Sequence, residues 1–242
     1  MKPRARQQGA ALLAMLLVAL VAFAAVLLSA FGSVNLERAR EERAMALLAQ
    51  ANEALVGFAA THGRLPRPAD TANAANPANA ANAAAPGEDG GGRERPVACD
   101  SEADCTGILP WRDLGLPAHD HWGRELRYSV TPAFTAAPLA RTALVATKRV
   151  LSRDADGILF FIAGQASCSL AAQCAPAVIF SRGGSDDPAS QDQAGNLVAS
   201  VYFMQRPRSK RPDAPGGSFD DLLATVPLDT LYQRMATART LP

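Results

Sequence analysis

Histidine, cysteine and tryptophan are scarce in this chain: three, four and two among 242 residues. With so few imidazoles and thiols, His119-Asp120-His121 is the one place where residue types suited to catalysis or metal binding fall together. A third metal ligand is not identifiable from the sequence, and a polar turn ahead of Trp122 accounts for the cluster more simply. The G-x-S-x-G, H-E-x-x-H and P-loop patterns are missing as well. These absences leave no recognisable enzyme chemistry and no expected cofactor or metal. A charge excess is missing too, since 24 Lys+Arg stand against 23 Asp+Glu. Without a net basic field, any nucleic-acid contact would have to be local. The only basic stretch is Arg206-Pro207-Arg208-Ser209-Lys210-Arg211, whose prolines suit a solvated loop, so no nucleic acid is expected. Aromatics make up 6% and much of the 48% apolar content is alanine, so the folded part commands a modest core.

One feature is abundant, an unbroken apolar run from Ala10 to Phe31 with Ser29 as its only polar residue. At 1.5 Å per residue it reaches roughly 33 Å, enough for a bilayer core of about 30 Å. Lys2, Arg4 and Arg6 precede it, which favours a cytoplasmic N-terminus and an exported C-terminal part. A secretory signal peptide cleaved near Ser33 is the alternative, although its apolar region is usually shorter. From 32 to 62 there is no proline, and Ala44, Leu47, Leu48, Ala51, Leu55 and Phe58 recur at helical spacing. The membrane helix is thus expected to continue as an amphipathic one until Gly63 and Pro66 stop it.

A short basic leader ending Arg6-Gln7-Gln8-Gly9, followed by a small-residue-rich apolar helix, resembles the class III leader of type IV pilins and type II secretion pseudopilins. Asp120-His121-Trp122-Gly123 with Tyr128 is similar to the D-x-W-G-x-x-x-x-Y element of major pseudopilins. Val178-Ile179-Phe180-Ser181-Arg182-Gly183-Gly184 resembles their V-F-S-x-G strand and turn. The resemblance implies a leader peptide 1–9 cut between Gly9 and Ala10 by prepilin peptidase, and methylation of the new N-terminus. It also implies a single-pass protein of the bacterial inner membrane, with a periplasmic domain and other pilin or pseudopilin subunits as partners. Ala14 stands where most members carry glutamate, which favours a minor or tip-type subunit over a fibre-forming one. The alternative is a permanently anchored periplasmic binding or scaffold protein that is never processed.

Beyond the helix, residues 69–92 are low-complexity Ala/Asn/Pro/Gly, and the segment 63–107 is expected to be a flexible loop carrying the first cysteine pair. Acidic Glu88, Asp89 and Asp100 fit no calcium-loop spacing. The periplasmic domain, 108–242, shows short apolar runs at 126–130, 143–146, 158–162, 177–180 and 197–204, separated by proline and glycine. These predict an antiparallel sheet, with short closing helices at 219–223 and 228–238 and Ser218 as an N-cap. Asp154-Ala155-Asp156-Gly157 reads as a turn, and Trp111 and Trp122 as core anchors. Cys99/Cys105 and Cys168/Cys174 have equal spacing unlike that of zinc ribbons; disulfides are expected, with their connectivity open. The expected fold class is therefore α+β: a long N-terminal helix, transmembrane over 10–31 and amphipathic over 32–62, packed pilin-like on an antiparallel sheet.

Overall fold

The computed structural model describes residues 5–69, 91–185 and 190–241, with the side chains of 5–11 and 24–34 left out. The chain divides into two compact units, Met1–Glu42 and Arg43–Pro242. Its elements are α1 (Ala5–His62), β1 (Thr106–Ile108), β2 (Arg127–Val130), a 3-10 turn (Pro132–Thr135), β3 (Arg149–Arg153), β4 (Leu159–Ala163), β5 (Ala177–Ser181), α2 (Gln191–Leu197), β6 (Tyr202–Met204), β7 (Leu222–Thr225) and α3 (Leu228–Thr237).

In the first unit, the large apolar side chains of α1 from Leu12 to Phe23 are 59% to 73% exposed. Among the described residues no helix is long and apolar enough to cross a membrane. Much of the predicted span 10–31 falls on side chains outside the described residues, as do the leader 1–9 and the Gly9–Ala10 cleavage position.

The second unit is mixed α+β with two sheets, where the sequence predicted one. The first is antiparallel in the order β1-β2-β5-β7, with Tyr128 opposite Ile179 and Ile179 opposite Ala224. The second has the order β4-β3-β6, and β6 runs parallel to β3. Three expectations are corrected. Residues 143–146 form no strand, because Ala143 and Leu144 N–H groups turn back onto the Ala140 carbonyl; the strand starts at Arg149. The stretch 197–204 holds the end of α2 and only a short β6, since Ser190 caps a helix there. The predicted helix 219–223 does not form: Phe219 bridges to Ser209, and Leu222 and Leu223 begin β7, whose Leu223 faces one core while Leu222 and Ala224 pack against the other. That is a period of two, not 3.6.

The same alternation explains why all five β5 residues are buried. Ala177 and Ile179 join Tyr128 and Val130 in packing with Leu47, Leu48, Ala51 and Leu55 of α1, and Leu231 and Met235 of α3 belong to the same core. Val178 and Phe180 turn the other way, to Val150 and Phe203 of the second sheet. A strand covered on both faces reads as a continuous apolar run. Edge strand β4 looks similar in sequence, yet Leu159, Phe160, Phe161 and Ile162 are 37% to 48% exposed.

The predicted low-complexity loop lies outside the described residues at 70–90. Its flanks are fastened: Arg64 pairs with Glu94 at 2.6 Å, and the Ala69 N–H donates to the Ile108 carbonyl at 2.8 Å. Both cysteine pairs close locally as disulfides, Cys99 with Cys105 and Cys168 with Cys174. Disulfides of this kind belong to an oxidising compartment.

Candidate functional site

The site grows from a tight turn at Asp120. Its Oδ1 accepts the Trp122 and Arg124 backbone N–H groups, both at 2.9 Å, as an aspartate does when it closes a turn on its own backbone. Gly123, with φ +78°, completes that turn in a conformation other residues adopt poorly. Asp120 Oδ2 accepts the Ser181 hydroxyl at 2.5 Å, and Ser181 Oγ in turn accepts the Gly183 N–H. The two motif stretches singled out in the sequence, 120–128 and 178–184, are thereby joined through one buried contact. Tyr128, fully buried in β2, donates its hydroxyl to the Pro66 carbonyl at 3.1 Å, and burial pushes its phenol well above the ordinary range.

Arg124 binds the following loop, donating to the carbonyls of Arg182, Gly184 and Ser185. Asp220 takes the other side of that loop, its Oδ2 accepting the Gly184 and Ser185 N–H groups. From Asp220 a buried polar network continues. Gln193 Nε2 donates to Asp220 at 2.6 Å and to Asp221 at 3.2 Å, while Asn196 Nδ2 donates to Asp221 at 2.7 Å. Burial pushes the Asp221 carboxyl up to about 6, against the pull of these amide donors. Asp192 is gripped by Arg153 at 3.0 Å and Arg206 at 2.8 Å. Sequence reasoning missed this network, although Ser190-x-x-Gln193 is a capping-box pattern that marks the start of α2.

The structure places the other residues singled out in the sequence as follows. His119 and His121 are exposed on either side of a buried Asp120, so the three do not converge. Among the described residues no three His, Cys, Asp or Glu side chains gather as a metal site. Trp111 and Trp122 are half-buried, outside both cores; Trp111 packs over Gly92, where a Cβ would stand 2.2 Å from its ring. Arg206 of the basic stretch is nearly buried against Asp192. Ser218 offers its carbonyl to the Ser190 hydroxyl at 2.5 Å ahead of a strand, and caps no helix.

The cysteine loops are put to use as well. Glu102, inside the Cys99–Cys105 loop, forms an ion pair with Lys148, whose side chain is fully buried and also donates to Ser129 Oγ at 2.8 Å. Desolvation lowers the Lys148 ammonium from its ordinary value, with Glu102 opposing that shift. Taken together, these contacts are positional: each carboxylate holds a turn, a loop, a cation or the side-chain amides of α2. Compared with protein-family models, curated proteins and solved structures, the chain matches none.

Proposed function

We propose that the chain is a pilin-like or pseudopilin-like subunit of a type II secretion or type IV pilus-type assembly, acting by assembly and not by catalysis. Leader peptide 1–9 would be removed at Gly9, leaving Ala10 as the new N-terminus of a single-pass inner-membrane protein with its larger unit in the periplasm. The observation that carries this reading is the exposed apolar surface of α1 from Leu12 to Phe23. A contiguous apolar surface of that kind is stable only under lipid or neighbouring helices, the two environments such a subunit alternates between. Two disulfides suit a periplasmic domain, and the Asp120–Ser181 contact gives both motif stretches a shared structural purpose.

The testing experiment is intact mass and N-terminal sequencing of the mature protein from bacterial membranes. An N-terminus at Ala10 with an added methyl group supports the proposal, and Gly9→Ala then abolishes processing and assembly while membrane insertion persists. An intact Met1 in the wild type refutes it and leaves a permanent anchor.

A further inference from the structure

Strand β4 lies at one edge of the second sheet, in the order β4-β3-β6. The residues from Ile158 to Ile162 are 37% to 64% exposed, and the chain carries no charged residue from Gly157 to Ser181. Edge strands are ordinarily kept from pairing with other strands by a charge, a proline or a covering element. β4 contains neither a charge nor a proline. Its ladder to β3 has one irregularity, which falls at Ile162 and leaves Leu159, Phe160 and Phe161 regularly opposite Arg153, Ser152 and Leu151.

The hairpin fixes which main-chain groups stay free. The Asp154 N–H donates to the Ile158 carbonyl at 3.1 Å and the Ile158 N–H donates to Asp154 Oδ1, so the main chain of Ile158 is turned inward. By the alternation of an antiparallel ladder Phe160 is turned inward too, and the main-chain groups of Leu159 and Phe161 point out from the sheet edge. A strand docking there must be extended and uncharged, and must itself offer a free apolar edge. Among the described residues β4 is the strand that fits this description. The other edge strands, β1, β6 and β7, are three or four residues long and each includes a buried residue, whereas β4 has five residues and buries none.

We infer that β4 is a docking edge for a second copy of this chain, the two β4 strands pairing antiparallel about Phe160 on a two-fold axis. In that register Leu159 of each copy stands opposite Phe161 of the other, outward main chain to outward main chain, so both pairs exchange ladder hydrogen bonds. Phe160 meets its own counterpart at the non-hydrogen-bonded position, where cross-strand side chains approach most closely. Charge selects the direction of pairing. Asp154 and Asp156 then face Ala166 and Gly164 of the second copy, which are neutral, whereas a parallel pairing sets acid against acid. With about half of each side chain free, the five residues offer roughly 500 Å2 per copy, about 1,000 Å2 for the pair, which is the weak end of specific association. The inference goes beyond the assembly reading and does not rest on it.

The test is sedimentation equilibrium of the full chain in density-matched non-ionic detergent. A monomer–dimer equilibrium with a Kd of about 100 μM or tighter is expected. Phe160→Lys sets two ammonium groups opposite each other and should weaken the dimer at least about tenfold. Val97→Lys, at an exposed position outside β4, should change nothing. Leu159→Lys and Phe161→Glu should each weaken self-association, and an equimolar mixture of the two should recover it, because the proposed register brings the lysine of one chain opposite the glutamate of the other. Should Phe160→Lys fail to fold, the mixture carries the same decision. A monomer up to about 300 μM, an association indifferent to Phe160→Lys and so carried by the apolar surface of α1, or a mixture that associates no better than its parts overturns the inference. Processing at Gly9 is untouched by any of these results.

Discussion

Asp221 should make this fold more stable in mild acid than in mild base. The carboxyl is buried and sits at about 6, raised from 3.8 chiefly by desolvation and further by Asp220 next to it. A folded-state value above the unfolded one means the folded state holds the proton more tightly. The associated stability is therefore fully present below about pH 3.8 and is lost as pH rises through about 6. At 1.36 kcal/mol per unit, the shift corresponds to roughly 3 kcal/mol in all, of which about 1.4 kcal/mol falls between pH 5 and pH 8. Other groups titrate in the acid range, so the quantity to read is the difference between wild type and Asp221→Asn. An asparagine can still present its carbonyl to Asn196 Nδ2 while losing the ionisation. The assay is thermal or urea unfolding of the full chain in detergent, followed by the fluorescence of Trp111 and Trp122, both in the second unit. Asp221→Asn should gain on wild type by about 1.4 kcal/mol as the pH goes from 5 to 8. A gap between the two proteins that stays constant with pH would refute the reasoning.

Removing the charge at Glu102 strands a fully buried ammonium, so Glu102→Gln should destabilise by about 2 to 3 kcal/mol, and adding Lys148→Met should recover most of it in the same unfolding assay. Gly183 has φ +59° and a Cβ there would lie 2.4 Å from the Asp220 carbonyl oxygen, so Gly183→Ala should cost about 2 kcal/mol or more and shift the unfolding midpoint accordingly. Replacing Cys99 and Cys105 together by serine should cost about 2 kcal/mol, the loop-closure value for so short a ring, measured as a fall in midpoint under non-reducing conditions.

The sequence was most informative where a residue's fate depends on close neighbours. The apolar spacing of Leu47, Leu48, Ala51 and Leu55 foretells the buried face of α1 in the second unit, and Asp156-Gly157 foretells the turn into β4, where Gly157 has φ +85°. Local cysteine pairing was one of the alternatives that spacing left open. Legibility ended where the partner lies far along the chain. The Phe219–Leu223 run is compatible with a helix until β5 offers it a ladder. Ile158 to Ile162 look like core, and only the strand order shows them at an edge. Asp120 and Ser181 are far apart in sequence, and their contact follows from folding two motifs together.

The segment leaving α1 is sewn down at successive points: Leu65 N–H to the Phe134 carbonyl, Pro66 carbonyl to the Tyr128 hydroxyl, and Ala69 N–H to the Ile108 carbonyl. Mechanically this is a row of rivets. Tension applied where the helix ends reaches Tyr128, in a strand hydrogen-bonded on both sides, and several ladder bonds must then yield together in shear. Among the described residues the second sheet has no such fastening at its β4 rim, where bonds can be peeled one at a time. Under load the second unit should therefore hold at its helix junction and give way first at that rim.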